Sequence, residues 1–239
     1  MMPTDVMPTQ AGSKWKNHSA KCRRYSLDES TFDVLNDETL YFLGLYMADG
    51  NIYQYKNRSA SPVISLSLDE KDKMFLESVK KMFSSSHKIH LHNGAAYLSF
   101  SSSKIADALI ALGITPRKSK SCKFDDALRP NLHVWRGVID GDGWIGTKTD
   151  KRSYGAYEYP YLELNGSEAL CKQFLKFLHK TTSFTGNVQK KQRTHRVSTC
   201  GRKAFTAIQI LYPNGCFSIP RKRRAAKLIL EKFGEKYVQ

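Results

Sequence analysis

Acidic residues are what this chain of 239 residues most lacks: 22 Asp and Glu face 38 Lys and Arg, giving a formal charge of +16 and a pI near 9.6. Such a surface attracts polyanions and loses affinity steeply with salt, so nucleic acid is the leading expected partner. The competing readings are a basic protein kept soluble by charge and a ribosomal-type RNA binder. The deficit is sharpest at the end of the chain, where thirteen Lys and Arg follow Gly186 against only Glu231 and Glu235. Cysteines are also sparse. Cys22, Cys122, Cys171, Cys200 and Cys216 are odd in number and show no C-x-x-C spacing, so they read as scattered reduced thiols rather than a zinc site or a disulfide framework. No apolar run is long enough to span a bilayer, and the first residues, MMPTDVMPTQ, hold no apolar core of a leader. The expectation is therefore a soluble, intracellular protein without a membrane partner, in the cytoplasm of a microbe or phage-infected cell or in an organelle. A composition of 41% hydrophobic and 25% charged residues is globular.

What the chain does have is one unit written twice. Tyr41-Phe-Leu-Gly-Leu-Tyr-Met-Ala-Asp-Gly50 and Val134-Trp-Arg-Gly-Val-Ile-Asp-Gly-Asp-Gly143 align on their final Asp-Gly, sharing Gly44 with Gly137 and Asp49 with Asp142. Each is followed by a period-two run that passes into a period-3.6 run, which means a strand and then an amphipathic helix. These are Val63–Leu68 before Lys73–Phe83, and Tyr159–Leu164 before Ala169–Leu178. A further strand and helix follow in each half: Ala96–Phe100 before 103–112, and His195–Thr199 before 203–211. Asn93-Gly94 marks a hairpin turn ahead of the first of these strands. Matching basic knots close the halves, with Pro116, Arg117 and Lys118 aligned on Pro220, Arg221 and Lys222. The order in each half is helix, two strands, helix, two strands, helix. The expected division is a basic extension over 1–34, a first unit over 35–125 and a second over 126–239.

In a helix, Gly44 and Ala48 lie on one face, as do Gly137 and Gly141, and small residues at that spacing let a second helix approach closely. If the two helices pack on each other, their C-terminal ends bring Asp49 and Asp142 together. Two carboxylates at negative dipole ends repel, and a hard divalent cation removes that penalty. A single G-x-x-x-D-G would be a weak signal, more often a helix cap. Asp140-Gly-Asp-Gly is not a calcium loop, because Trp144, Ile145 and Lys151 occupy its fifth, sixth and twelfth positions.

Phe42–Gly50, through Gly44, Leu45, Ala48, Asp49 and Gly50, and Trp135–Gly143, through Gly137, Ile139, Asp140, Asp142 and Gly143, resemble the motifs of the LAGLIDADG homing endonucleases in their single-chain, two-motif form. The similarity spans about residues 35 to 230. Met47 departs from the pattern, standing where its first acid would be. The resemblance implies an α+β fold of two pseudo-symmetric αββαββα units, with paired motif helices at the centre and two antiparallel sheets forming a saddle over double-stranded DNA. It implies Mg²⁺ or Mn²⁺ bound at Asp49 and Asp142, with Ala48 and Gly141 as adjoining metal-site positions, and cleavage that leaves short 3′ overhangs. The family's basic residue near each scissile phosphate is assigned to Lys118 and Lys222, which the repeat aligns; ordinary phosphate contacts are the alternative for both.

Strand alternation separates core from groove. Ile64, Leu66 and Leu68 are expected to face the helices and Ser65 and Ser67 the DNA. Likewise Leu162 and Leu164 face inward, and Tyr161 and Glu163 outward. Tyr53, Gln54, Lys56 and Arg58 after the first motif, and Gln189, Lys191, Arg193, His195 and Arg196 in the second half, have the composition of groove-reading ribbons. A hairpin tip that touches only phosphates is the alternative. Because the halves differ in these strands, the recognised site should be long and asymmetric. The reading is thus a monomeric, metal-dependent, site-specific double-strand DNA endonuclease. Its competitors on the same scaffold are an intron maturase with intron RNA as partner, and a non-catalytic DNA-binding regulator.

Overall fold

The computed structural model describes residues 24–54, 61–116, 122–125, 128, 131–153 and 155–237. The first unit runs α1 (Asp37–Asp49), β1 (Gly50–Tyr53), β2 (Val63–Asp69), a 3-10 turn (Glu70–Asp72), α2 (Lys73–Met82), β3 (His90–His92), β4 (Ala95–Ser101) and α3 (Ser103–Ala111). The second repeats it as α4 (Leu132–Asp142), β5 (Gly143–Arg152), β6 (Gly155–Gly166), α5 (Glu168–Thr182), β7 (Gln189–Lys190), β8 (His195–Cys200) and α6 (Gly201–Leu211), then adds α7 (Pro220–Tyr237). Each unit has the αββαββα order expected from the repeat. The sheets are antiparallel, in the orders β1-β2-β4-β3 and β5-β6-β8-β7. Even the register is shared: the glycine after each motif acid, Gly50 or Gly143, sits opposite Leu66 or Leu164.

Local chemistry accounts for these boundaries. Asn36 and Asn131 each accept two hydrogen bonds from the first turn of α1 and α4, and Thr39 completes a capping box with Asn36. Ser102 and Ser167 each accept one such bond, from Ile105 and Leu170, at the start of α3 and α5. Asn93 and Gly94, both at positive φ, turn the chain between β3 and β4. Along β2 and β4, Ile64, Leu66, Leu68, Ala96, Leu98 and Phe100 are buried against the helices, as the alternation predicts.

Ahead of each motif helix a phenylalanine anchors the incoming chain. Phe32 packs on Phe42 and Phe83, and Phe124 packs on Trp135, the residue aligned with Phe42. Gln173 of α5 holds the backbone of Phe124 by both its N–H and its carbonyl, and Asp28 N–H donates to the Phe83 carbonyl at the end of α2.

The units meet along α1 and α4. A Cβ on Gly44 would fall inside the Val134 carbonyl, and one on Gly137 inside the Tyr41 carbonyl, so each helix lays backbone directly on the other. Beside this contact Asp140 is fully buried. Its carboxylate accepts from the Tyr41 hydroxyl of the other unit (2.5 Å), the Tyr212 hydroxyl (2.6 Å) and the Ile219 N–H (2.6 Å). Burial pushes its pKa up to about 6, while these donors and the Lys222 charge oppose the rise. Arg136, also buried, donates to the Leu211 and Phe217 carbonyls and so ties the segment between α6 and α7 to α4.

Two outcomes follow. Gly137→Ala gains about 1 kcal/mol of helix propensity but meets backbone on the facing helix, where overpacking costs about 1–3 kcal/mol or more. It should destabilise the protein in urea unfolding, whereas Gly234→Ala in α7, with open space around the new methyl, should stabilise it by up to about 1 kcal/mol. Asp140 titrates near 6 when folded and near 3.8 otherwise. Its proton therefore favours folding fully below 3.8, and that contribution is lost as pH rises to about 6. In metal-free buffer, the stability of the parent minus that of Asp140→Asn should fall across this window by up to about 3 kcal/mol and then level off.

Candidate active site and nucleic-acid interface

Asp49 and Asp142 are the last residues of α1 and α4. Each helix passes without a turn into a strand, because the following glycine is extended while its N–H still donates to the carbonyl of Tyr46 or Ile139. Both acids thus stand at the junction of helix pair and sheets. They are brought to the same end of the pair: a Cβ on Gly141 would lie 2.8 Å from Asp49 Oδ2 and closer still to Ala48 Cβ. Gly141 therefore leaves the room into which the Asp49 carboxylate fits.

Lys222, in the first turn of α7, is only 8% exposed. Its ammonium donates to the Ile139 carbonyl (3.2 Å) and the Gly143 carbonyl, supplying positive charge at the C-terminal end of α4. Burial lowers its pKa, and attraction to Asp140 and Asp49 opposes that fall. The neighbouring Arg221 crosses to the first unit and pairs at 2.8 Å with Asp72, which is 4% exposed. Near Asp142 the Cys171 thiol is pushed up to about 12, first by burial and then by neighbouring Cys122 and Asp142, so it is an inert thiol. Among the described residues no group of three or more His, Cys, Asp or Glu could hold a metal ion. The chemistry at the two helix ends, with the Asp49 and Asp142 carboxylates beside backbone carbonyls, is one of oxygen atoms and would suit a hard divalent cation such as Mg²⁺ or Mn²⁺ better than zinc.

The sheet faces turned away from the helices form the rest of the region. Tyr53 is exposed at the end of β1, Gln54 follows it half-buried, and Ser65 and Ser67 lie on the open face of β2. On the second sheet Tyr161 alternates outward as expected, yet it is buried. The Trp144 ring packs on it at 5.4 Å, and Lys148 Nζ lies 3.5 Å from its centroid. Its hydroxyl donates to Glu163, which also accepts from Asn165 and pairs with Arg196. Arg196 reaches on to Gln189 (2.6 Å). Lys191 and Arg193 are exposed in the β7–β8 turn. His195 lies on the other face, 3.8 Å from Glu168 of α5, and does not join this group. Lys56, Arg58 and Lys118 lie outside the described residues. Trp144, Lys148 and Asn165 are not among the groove residues expected from strand alternation. The signal for Trp144 and Lys148 is the alternation Trp144, Gly146, Lys148, readable once β5 is known to begin at Gly143, and that for Asn165 is its place two residues after Glu163 on β6.

No family model matches this sequence, and no curated protein matches it. Solved structures do. The I-LtrWI LAGLIDADG homing endonuclease bound to target DNA shares 15% identity, over 84% of this chain and 92% of that one, with a TM-score of 0.59. I-SmaMI, bound to an uncleaved DNA target in the presence of calcium ions, shares 14% identity over 86% and 94%, with a TM-score of 0.60. The LAGLIDADG meganuclease I-AabMI bound to uncleaved DNA shares 14% over 86% and 94%, with a TM-score of 0.59. With its two antiparallel sheets flanking one central helix pair, the chain has the fold of the LAGLIDADG homing endonucleases in their single-chain, two-unit form.

Proposed function

We propose that this protein is a site-specific, double-strand DNA endonuclease that acts as a monomer with a divalent cation on a long asymmetric target. The observation that carries the proposal is the seating of the Asp49 carboxylate against Gly141 of the facing helix, which places acids from both units at one end of one helix pair. One chain thereby supplies both halves of a centre suited to two strands. The neighbours with this fold are DNA endonucleases, several of them bound to DNA. The net charge of +16 supports a polyanionic substrate.

In this reading Asp49 and Asp142 hold the cation, with the Ala48 and Gly141 carbonyls adjoining. When bound, it would offset the phosphate charge and make water a better nucleophile at neutral pH. The chain's own residues do the remaining work. Lys222 is held on the α4 carbonyls and attracted to Asp49, so its ammonium is fixed beside the acids and adds positive charge where negative charge would grow. Lys118 is its proposed counterpart through the repeat. The open sheet faces orient the duplex through Tyr53, Gln54, Ser65 and Ser67 on one side and Glu163, Gln189 and Arg196 on the other, with Lys191 and Arg193 at the hairpin tip. A target beside an intron or intein insertion point is part of the proposal.

The test is linearisation, in Mg²⁺ or Mn²⁺, of a plasmid that carries the rejoined flanks of the gene. Asp49→Asn and Asp142→Asn should each lower cleavage by at least about 100-fold, as loss of a charge-stabilising group does. Binding to the same duplex, read by gel shift in calcium, should persist. Normal cutting by both variants would remove these acids from the site. Lys222→Met should also slow cleavage more than it weakens binding, and a loss of binding alone would make it a simple phosphate contact.

A further inference from the structure

The open face of the second sheet carries a hydrogen-bonded network that spans three strands and has no counterpart in the first. Glu163 of β6 lies at its centre, its side chain 16% exposed. Its carboxylate accepts from the Tyr161 hydroxyl at 2.7 Å and the Asn165 amide at 3.0 Å, and it pairs with Arg196 of β8 at 3.4 Å. The other end of the Arg196 fork donates to Gln189 of β7 at 2.6 Å. Despite the upward push of burial, Tyr161, Asn165, Arg196 and Lys148 hold the Glu163 carboxyl below the usual range, so it is a fixed anion at neutral pH. Carried through the matched registers, the first-sheet positions of Glu163, Asn165, Arg196 and Gln189 are Ser65, Ser67, Tyr97 and His90, with no acid and no guanidinium.

A carboxylate on a face that meets phosphates is unfavourable by charge, and a surface built only for affinity would not keep one. Arg196 gives its retention a reason. An arginine in solvent samples many rotamers, whereas this one is held at both terminal nitrogens, and its Nε is buried without a protein partner. With one contact on each terminal nitrogen, each keeps a second N–H for a ligand. A fork fixed in this way suits two adjacent acceptors, which the major-groove edge of guanine presents at O6 and N7.

We propose that Glu163 is a positioning residue for specificity. It holds Arg196 ready to read guanine in the half-site under the second unit, and it opposes binding wherever that base contact is missing. This rests on the proposed DNA-cleaving function and deepens it. Glu163 costs affinity for DNA in general and increases discrimination, and the two half-sites are read by different chemistry.

The test is selection from a randomised duplex pool in calcium, comparing the parent with Glu163→Gln and Arg196→Lys, alongside affinity for the unselected pool. The Gln variant is close in shape, and urea unfolding checks that it folds. Its affinity for the unselected pool should rise about two- to tenfold, because one like charge is gone. The motif it selects should lose about tenfold or more of its guanine preference at one or two adjacent positions of one half-site only. Arg196→Lys keeps the charge and should lose preference at the same positions. If Glu163→Gln selects the parental motif, or the two variants lose preference at different positions, the inference fails while the proposed function stands. A parent protein that selects no motif overturns both.

Discussion

The close contact of α1 with α4 is the constraint from which the remaining arrangement follows. Backbone meets backbone at Gly44 and Gly137, leaving no volume for a side chain at either crossing point. Helices this close have little freedom to slide or roll, so the acids at their ends are fixed by the packing of the helix bodies. The same contact sets the two sheets apart as separate platforms, because each helix runs directly into the first strand of its own sheet. Interdigitation of the helices and the geometry of the acidic pair are thus one property. A side chain added at a crossing would disturb the acidic centre without touching it.

The pseudo-symmetry is broken where it is chemically expensive to keep. Asp140 is buried and held by two phenols and an N–H. At the symmetry-related site the first unit supplies Met47 in place of Asp140 and, counting forward from Leu98 and Val197, Gly113 in place of Tyr212, while the second unit supplies Val134 in place of Tyr41. The departure from the motif at Met47 is therefore part of a coordinated change in which an acid and both its phenol donors are replaced together. A buried carboxylate without donors would carry an uncompensated desolvation cost, whereas an apolar side chain in their absence carries none.

The second unit also carries more of the reinforcement. Arg136 satisfies carbonyls after α6, Lys222 those at the end of α4, and Arg221 reaches back to the buried Asp72 of the first unit. Lys232 and Lys236 of α7 brace the long β5–β6 hairpin at Glu158 and Tyr157. The cationic end of the chain, which composition alone would assign to a phosphate surface, is thus partly an internal scaffold. Only some of its charge is left for a partner, and a count of lysines and arginines is a poor guide to which.

The sequence by itself determined the repeat, the order of elements in each unit, the inward faces of β2 and β6, and the two acids at the helix ends. All of these are periodic or local: a helix repeats every 3.6 residues, a strand every two, and Asn caps and an Asn-Gly turn act on their immediate neighbours. Only the tertiary structure decided what depends on residues far apart in the chain. It covered Tyr161 with Trp144 and Lys148, turned His195 toward Glu168 while Arg196 faced Glu163, and joined Arg221 to Asp72 across 149 positions. Alternation fixes which side of a strand a residue is on. Which groups meet on that side is set by the register of the neighbouring strands, and no local pattern contains it.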